Sequence, residues 1–193
     1  MSDFQTRLSS RMEELKSLFS ALYNDSSPLE KLVQIMKEYY DKRDQDLKAL
    51  DEKRQLDPFW YKRSDMLGLT MYTDLFSSSL KGLEEKVDYL EKLSRKYLHL
   101  MPLLSMPEKD NDGGYAVEDF FSVDKRFGNN EDLSSLTRKL RSHGISLCLD
   151  FVMNHTASSH MWAKKAEEGD EYYQNFYMCY SDRKIPDEYE KTT

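Results

Sequence analysis

The sequence predicts an α/β protein: a helical N-terminal part, then strands and helices in alternation that build a parallel sheet. Three observations predict it. Apolar residues recur at helical spacing before Pro58, the texture changes after Asp57-Pro58, and three short apolar runs follow with helical patterns between them.

The helical part comes first. Phe4, Leu8, Met12, Leu15, Phe19 and Leu22 recur at three- and four-residue steps, which places them on one helix face. Asn24-Asp25-Ser26-Ser27-Pro28 breaks that pattern, with Ser27 suited to an N-cap and Pro28 to the first helical position. A second helix then carries Leu29, Leu32, Val33, Met36, Tyr39 or Tyr40, Leu47 and Leu50. The charge-rich "DKRDQDLKALDEKR" reads as its solvated face and end, with a coiled-coil surface as the alternative.

The α/β part starts with "MLGLTMYTDLF" (66–76), an apolar run. "LKGLEEKVDYLEKLS" (80–94) has a helical period, and "YLHLMPLL" (97–104) is a second run, stopped by Pro102. "NEDLSSLTRKLRSHG" (130–144) is a helix that Gly144 closes, and "ISLCLDFV" (145–152) is the third run. Strands apolar on both faces are what a parallel sheet under covering helices requires. From residue 157 the chain is rich in aromatics and charge, with one helix at about 161–168 and no clear period after it.

Bulk properties exclude several classes. The 35 acidic and 28 basic residues give a net charge of −7, which speaks against a nucleic-acid or anionic-membrane surface. No apolar run approaches the ~20 residues of a membrane span, and the amphipathic N-terminus does not resemble a secretory signal. Cys148 and Cys179 lie far apart with no metal-ligand spacing, so a reduced, cytoplasmic setting is expected.

In parallel α/β architecture, sites gather beyond the C-terminal ends of the strands. After the first run come Tyr72 and Asp74, after the second a long loop with "DGGYAVEDF" (112–120), and after the third Asp150, Asn154 and His155. Gly113-Gly114 lets the backbone turn tightly, holding Asp112 and Tyr115 on either side of the bend. A carboxylate beside an aromatic face suits a sugar ring, with hydroxyls bonded to the one and C–H groups stacked on the other. A plain Asp-Gly-Gly turn accounts for the same residues. Asp150 ends a buried strand and needs partners, for which Asn154, His155 or backbone N–H groups are the candidates. Such a His can donate to a ligand hydroxyl; the alternative is that Asp150 and Asn154 tie the loop down while His155 merely packs.

"DFVMNHT" resembles the motif after the third barrel strand of the α-amylase superfamily of glycoside hydrolases and transglycosidases. The resemblance is closer to the amylosucrases. Their counterparts of "SLKGLEEKVDYLEKL", "YLHLMPL", "DGGYAVEDF", "HGISLCLDFVMNHT" and "NFYMCYSDRKIPDEYEKT" occur in the same order. "LKALDEKRQLDPFWYKRSDMLG" resembles the junction between their helical domain and barrel.

This resemblance implies an N-terminal helical domain over 1–60, the first half of a (β/α)8 barrel over 61–156, and the start of an excursion after strand three over 157–193. It implies cleavage of sucrose and transfer of glucose to an α-1,4-glucan through a covalent intermediate, with sucrose and glucan as partners and neither nucleic acid nor membrane. Asp112 and Tyr115 resemble the carboxylate and stacking tyrosine of the bound glucose, His155 the histidine that bonds the same ring, and Asp150 and Asn154 its supporting pair. No cofactor and no metal are expected, although the matching Asn holds calcium in some relatives.

The family's nucleophile, acid and stabilising carboxylates lie on later strands. The stretch after Leu67 is about half of the ~250 residues of a complete barrel, and no pair here resembles the two carboxyl groups ~5 Å apart that retaining chemistry needs. The expectation is therefore a fragment without catalytic residues of its own, inactive alone and prone to self-association through unpaired strand edges. A binding or non-functional module is the alternative, as is a fragment of a sucrose hydrolase, sucrose phosphorylase or α-amylase.

Overall fold

The computed structural model describes residues 4–23 and 25–192. The chain divides into two compact units, 1–63 and 64–193.

The first unit holds three α-helices, α1 (Phe4–Leu22), α2 (Pro28–Lys42) and α3 (Gln45–Leu56), and a 3-10 turn at Trp60–Lys62. The single second helix of the sequence reading is thus two. Arg43 (φ −67°, ψ 132°) and Asp44 (φ −56°, ψ 147°) are extended and separate them. No Gly or Pro marks the break; the Arg43 guanidinium closes the corner, donating to both Asp51 oxygens at 2.7 and 2.9 Å. Ser27 also departs from expectation. It is helical and makes no side-chain cap; its N–H and hydroxyl donate to Asp25 at 2.8 and 2.6 Å.

The second unit is built on three parallel strands, β1 (Gly68–Met71), β2 (Tyr97–Leu100) and, later in the chain, β5 (Ser146–Leu149), in the order β1-β2-β5. Between β1 and β2 lie α4 (Thr73–Ser77), α5 (Leu80–Glu85) and α6 (Val87–Lys92). The helical period of 80–94 is therefore split in two. Lys86 (φ −93°, ψ 2°) interrupts it, and its ammonium reaches back to the Phe76 carbonyl. The segment after β2 is a hairpin of β3 (Leu104–Ser105) and β4 (Asp119–Val123), not an open loop, with the 3-10 turn Asp112–Gly114 between its strands. Helix α7 (Asn130–Ser142) follows, and α8 (Met161–Glu167), α9 (Glu171–Gln174) and α10 (Lys184–Glu190) come after β5.

Helix α7 starts at a capping box. Asn129 Oδ1 accepts the Glu131 and Asp132 N–H groups at 2.9 and 3.0 Å, and Asp132 returns a bond to Asn129 N at 3.1 Å. Gly144, at φ +68°, closes it.

The strands are not apolar on both faces. Residues paired across parallel strands share a face. The register pairs Leu98 with Leu69 and Leu147, and Leu100 with Met71 and Leu149. Leu98 and Leu100 on that face enter the core with Leu80, Leu83, Val87, Leu90, Leu136 and Leu140, all essentially without exposure. Each such side chain contributes roughly 1.5–3 kcal/mol by burial. The opposite face alternates with it and is polar, with Thr70, Tyr97, His99, Ser146 and Cys148. Continued by one pleat, that face ends in Tyr72 and Asp150.

Candidate functional site

The polar face leads to its rim, where Asp150 stands one residue beyond β5. Both of its carboxylate oxygens are engaged. His99 Nε2, on β2, lies 2.9 Å from Oδ1, and the Tyr115 hydroxyl donates to Oδ2 at 2.9 Å. The sequence points to Asn154, His155 or backbone N–H groups as these partners. The partners are instead 51 and 35 residues away, because only the parallel register brings β2 beside β5.

Tyr115 is held from two sides. Besides its hydroxyl bond, its carbonyl accepts from His155 Nε2 at 3.1 Å. Two residues further along both segments, Ala157 N donates to the Val117 carbonyl at 2.8 Å. These two rungs clamp the segment after β5 onto the hairpin. Asn154 Nδ2 donates to His155 Nδ1 at 2.8 Å, which leaves the imidazole proton on Nε2, the atom that serves Tyr115. Both His155 nitrogens are thus engaged within the protein.

The glycine pair forms the bend. Gly113 (φ +65°) places its α-carbon where an added Cβ would lie 3.4 Å from the Tyr72 hydroxyl. Gly114 (φ +100°) lies against Pro102 and Met106, and a Cβ there would come within 2.8 Å of Pro102. Asp112 itself takes φ +50° and is exposed. Its carbonyl accepts the Tyr115 N–H at 3.2 Å, while its carboxylate makes no hydrogen bond to another described residue.

Tyr115's phenol is held above its ordinary value, first by its bond to Asp150, then by burial and by the nearby charges of Asp150 and Asp112. Tyr97 on the same face is also raised, first by its hydrogen bond with Cys148.

The hairpin is anchored at its base by Asp124, 3% exposed. Its carboxylate accepts the Met106 N–H at 3.1 Å, the Arg126 N–H at 2.9 Å and Arg126 Nε at 2.8 Å. Burial pushes this carboxyl up, but those donors and the guanidinium charge outweigh it and leave it low.

His160, Trp162, Tyr172, Tyr173 and Phe176 pack among themselves and on Phe120 of β4. Trp162 stacks on Phe176 at 4.9 Å, with His160 and Phe120 at 4.7 and 5.7 Å from Trp162. Burial pushes His160 down in pKa, in accord with its Nδ1 accepting the Trp162 N–H at 3.0 Å. Neither His99 nor His160 was singled out from the sequence. His99 carried one usable signal, a polar residue inside the apolar run "YLHLMPLL".

Among the described residues no group of three or more His, Cys, Asp or Glu could hold a metal ion, and no helix is long and apolar enough to cross a membrane. In the N-terminal unit a recess of about 840 Å³ is lined by Phe4, Leu8, Met36, Tyr39, Tyr40 and Leu47. It is mainly apolar and shares no residue with the strand-end cluster.

A helix-covered parallel sheet with a carboxylate-centred polar cluster past its strand ends defines an α/β protein of the kind that binds ligands at that rim. The chain belongs to the α-amylase family, since residues 34–192 match "Alpha amylase, catalytic domain".

Among curated relatives, the salivary alpha-glucosidase of Anopheles gambiae is 34% identical over 127 residues, 66% of this chain and 20% of its own. The trehalose-6-phosphate hydrolase of Escherichia coli is 33% identical over 102 residues, 53% of this chain and 18% of its own. The amino acid transporter heavy chain SLC3A1 of Rattus norvegicus is 32% identical over 127 residues, 66% of this chain and 17% of its own. Among solved structures, the trehalulose synthase of Pseudomonas mesoacidophila superposes with a TM-score of 0.55 at 30% identity, over 62% of this chain and 22% of its own. The chain thus spans about a fifth of the length of the relatives it matches.

Proposed function

We propose that this chain is part of an enzyme that cleaves or transfers an α-linked glucosyl unit, and that the strand-end cluster receives the glucosyl ring. The observation that carries the reading is the Asp112 carboxylate, unengaged by hydrogen bonds among the described residues and set beside Tyr115 on a glycine bend. Asp112 accepts ring hydroxyls, the Tyr115 face takes the C–H side of the sugar, and His155 joins by giving its Nε2–H to a ring hydroxyl in place of the Tyr115 carbonyl. Asp150 and Asn154 support Tyr115 and His155. In this reading none of these residues breaks the glycosidic bond; they bind and orient.

Within that class, the ordered blocks that resemble amylosucrase segments favour sucrose as donor and an α-1,4-glucan as acceptor. A cytoplasmic setting is supported by two cysteines, neither of them in a disulfide. The test uses the longest open reading frame that contains this chain, incubated with sucrose and maltooligosaccharide while fructose release is followed. Turnover is expected, as is its loss in Tyr115→Ala and a larger drop in kcat than rise in KM for His155→Ala, since such contacts strengthen at the transition state. Unchanged turnover in Tyr115→Ala sinks the assignment of the site.

A second reading is a non-enzymatic binding module, favoured by the likeness to a relative named as a transporter heavy chain. It predicts sugar binding without turnover of any α-glucoside by that same open reading frame.

A further inference from the structure

We propose that His99 is a positioning residue for this site: its imidazole holds Asp150 in the one orientation that lets Asp150 hold Tyr115. This rests on the glucosyl-binding reading above and names the group that keeps its aromatic platform in place.

The argument starts from where each residue stands. Tyr115 lies between the strands of a hairpin, and Asp150 and His155 lie beyond the end of β5. His99 stands within β2, the central strand, which is paired along its whole length to β1 on one side and β5 on the other. A side chain fixed on a central strand is placed more tightly than one on a loop. His99 therefore ties the loop-borne Asp150, and Tyr115 through it, to the central strand of the sheet.

The chemistry then follows the bonds. A carboxylate on a single donor can turn about its last torsion, whereas one with a donor on each oxygen is held in one plane. Oδ1 of Asp150 takes His99 Nε2 at 2.9 Å, and Oδ2 takes the Tyr115 hydroxyl at 2.9 Å. The side chains of His99 and Asp150 are 29% and 21% exposed, so bulk water is a poor substitute for the lost donor. With no donor on Oδ1, the carboxylate turns toward solvent to recover hydrogen bonds, and Tyr115 loses its anchor. His155 is next in the chain of bonds, through the Tyr115 carbonyl at 3.1 Å.

The test is made on the 193-residue chain by NMR. Tyrosine Cζ is labelled, Tyr115 is assigned with Tyr115→Phe, and its titration is compared in the unaltered chain, His99→Leu and His99→Gln. His99→Leu removes the donor; His99→Gln retains an N–H at similar reach. The expected result is that His99→Leu lowers the Tyr115 titration toward the ordinary phenol range and, in the longest open reading frame that contains this chain, weakens maltose binding about tenfold. His99→Gln restores both. An unaltered Tyr115 titration in folded His99→Leu overturns the proposal. So does an Nδ1–H tautomer of His99, with Nε2 bare at neutral pH, a measurement on the unaltered chain that does not depend on any variant folding. A shifted Tyr115 titration in His99→Leu, together with no maltose binding by the longest open reading frame that contains this chain, refutes the glucosyl reading and upholds the hold of His99 on the Asp150–Tyr115 pair.

Discussion

The Tyr115 hydroxyl donates to Asp150 Oδ2 at 2.9 Å, joining a hairpin to the end of a strand 35 residues later in the chain. Because this bond is to the neutral phenol, it raises the phenol's pKa, and the consequence for stability has a definite sign. A group whose folded pKa lies above its unfolded value contributes stability below the unfolded value, about 10 for tyrosine, and loses it as pH rises through the folded one. Urea unfolding of the unaltered chain and Tyr115→Phe is expected to differ by a constant amount from pH 7 to 9. The difference is expected to shrink at higher pH. A gap that does not change on going above pH 10 contradicts the bond.

Asp124 behaves in the opposite sense. Its carboxyl lies below the ordinary value, so its contribution is full above about pH 4, the unfolded value, and is lost as pH falls through the lower folded one. Asp124→Ala leaves the Met106 N–H and the Arg126 donors without their acceptor. A loss of about 2–3 kcal/mol at pH 7 is expected from urea midpoints. The loss narrows under acid conditions, and equal losses at pH 7 and pH 3 refute the assignment.

Two glycines offer a controlled pair. Gly114 and Gly169 both have positive φ, +100° and +94°. A Cβ on Gly114 meets Pro102 Cβ at 2.8 Å and Met106 Cε at 3.1 Å, whereas one on Gly169 meets nothing within 4 Å. Gly169→Ala is therefore expected to cost only backbone strain, about 1 kcal/mol. Gly114→Ala adds overpacking, for about 2–4 kcal/mol in total. Equal costs in thermal or urea unfolding show that the bend at Gly114 does not pack on Pro102.

The 193-residue chain is predicted to self-associate. Strand β5 pairs only with β2 among the described residues, and just past it Phe151 and Met153 are 62% and 82% exposed. An unpaired edge next to apolar side chains recruits another chain. Light scattering is expected to show an apparent mass that rises with concentration, and Met153→Lys is expected to lower it. A monomer at every concentration, with or without the substitution, rules this out.

Much of the framework was legible because it is written locally. The three strands declared themselves as apolar runs, and α7 as a 3.6-residue period closed by Gly144, since each of these patterns is contained in one short contiguous stretch of chain. The break at Arg43-Asp44 was not legible. It has no Gly or Pro, and the Arg43–Asp51 pair that holds the corner becomes visible only in the folded chain. The β3–β4 hairpin was hidden for a related reason: Leu104–Ser105 is too short for any period, and β3 exists because β4 pairs with it.

The site divides in the same way. The sequence by itself determined that Asp112, Tyr115, Asp150, Asn154 and His155 stand beyond strand ends, because strand order along the chain and the glycine bend are local properties. Only the tertiary structure decided which of them touch. Asp150 turned from its neighbours Asn154 and His155 to His99 and Tyr115, and His155 spent both nitrogens on Asn154 and Tyr115. The physical reason is that a half-buried carboxylate takes the donors that the sheet register and loop packing bring within 3 Å. Proximity in that register is a property of paired strands, which no spacing along one strand contains.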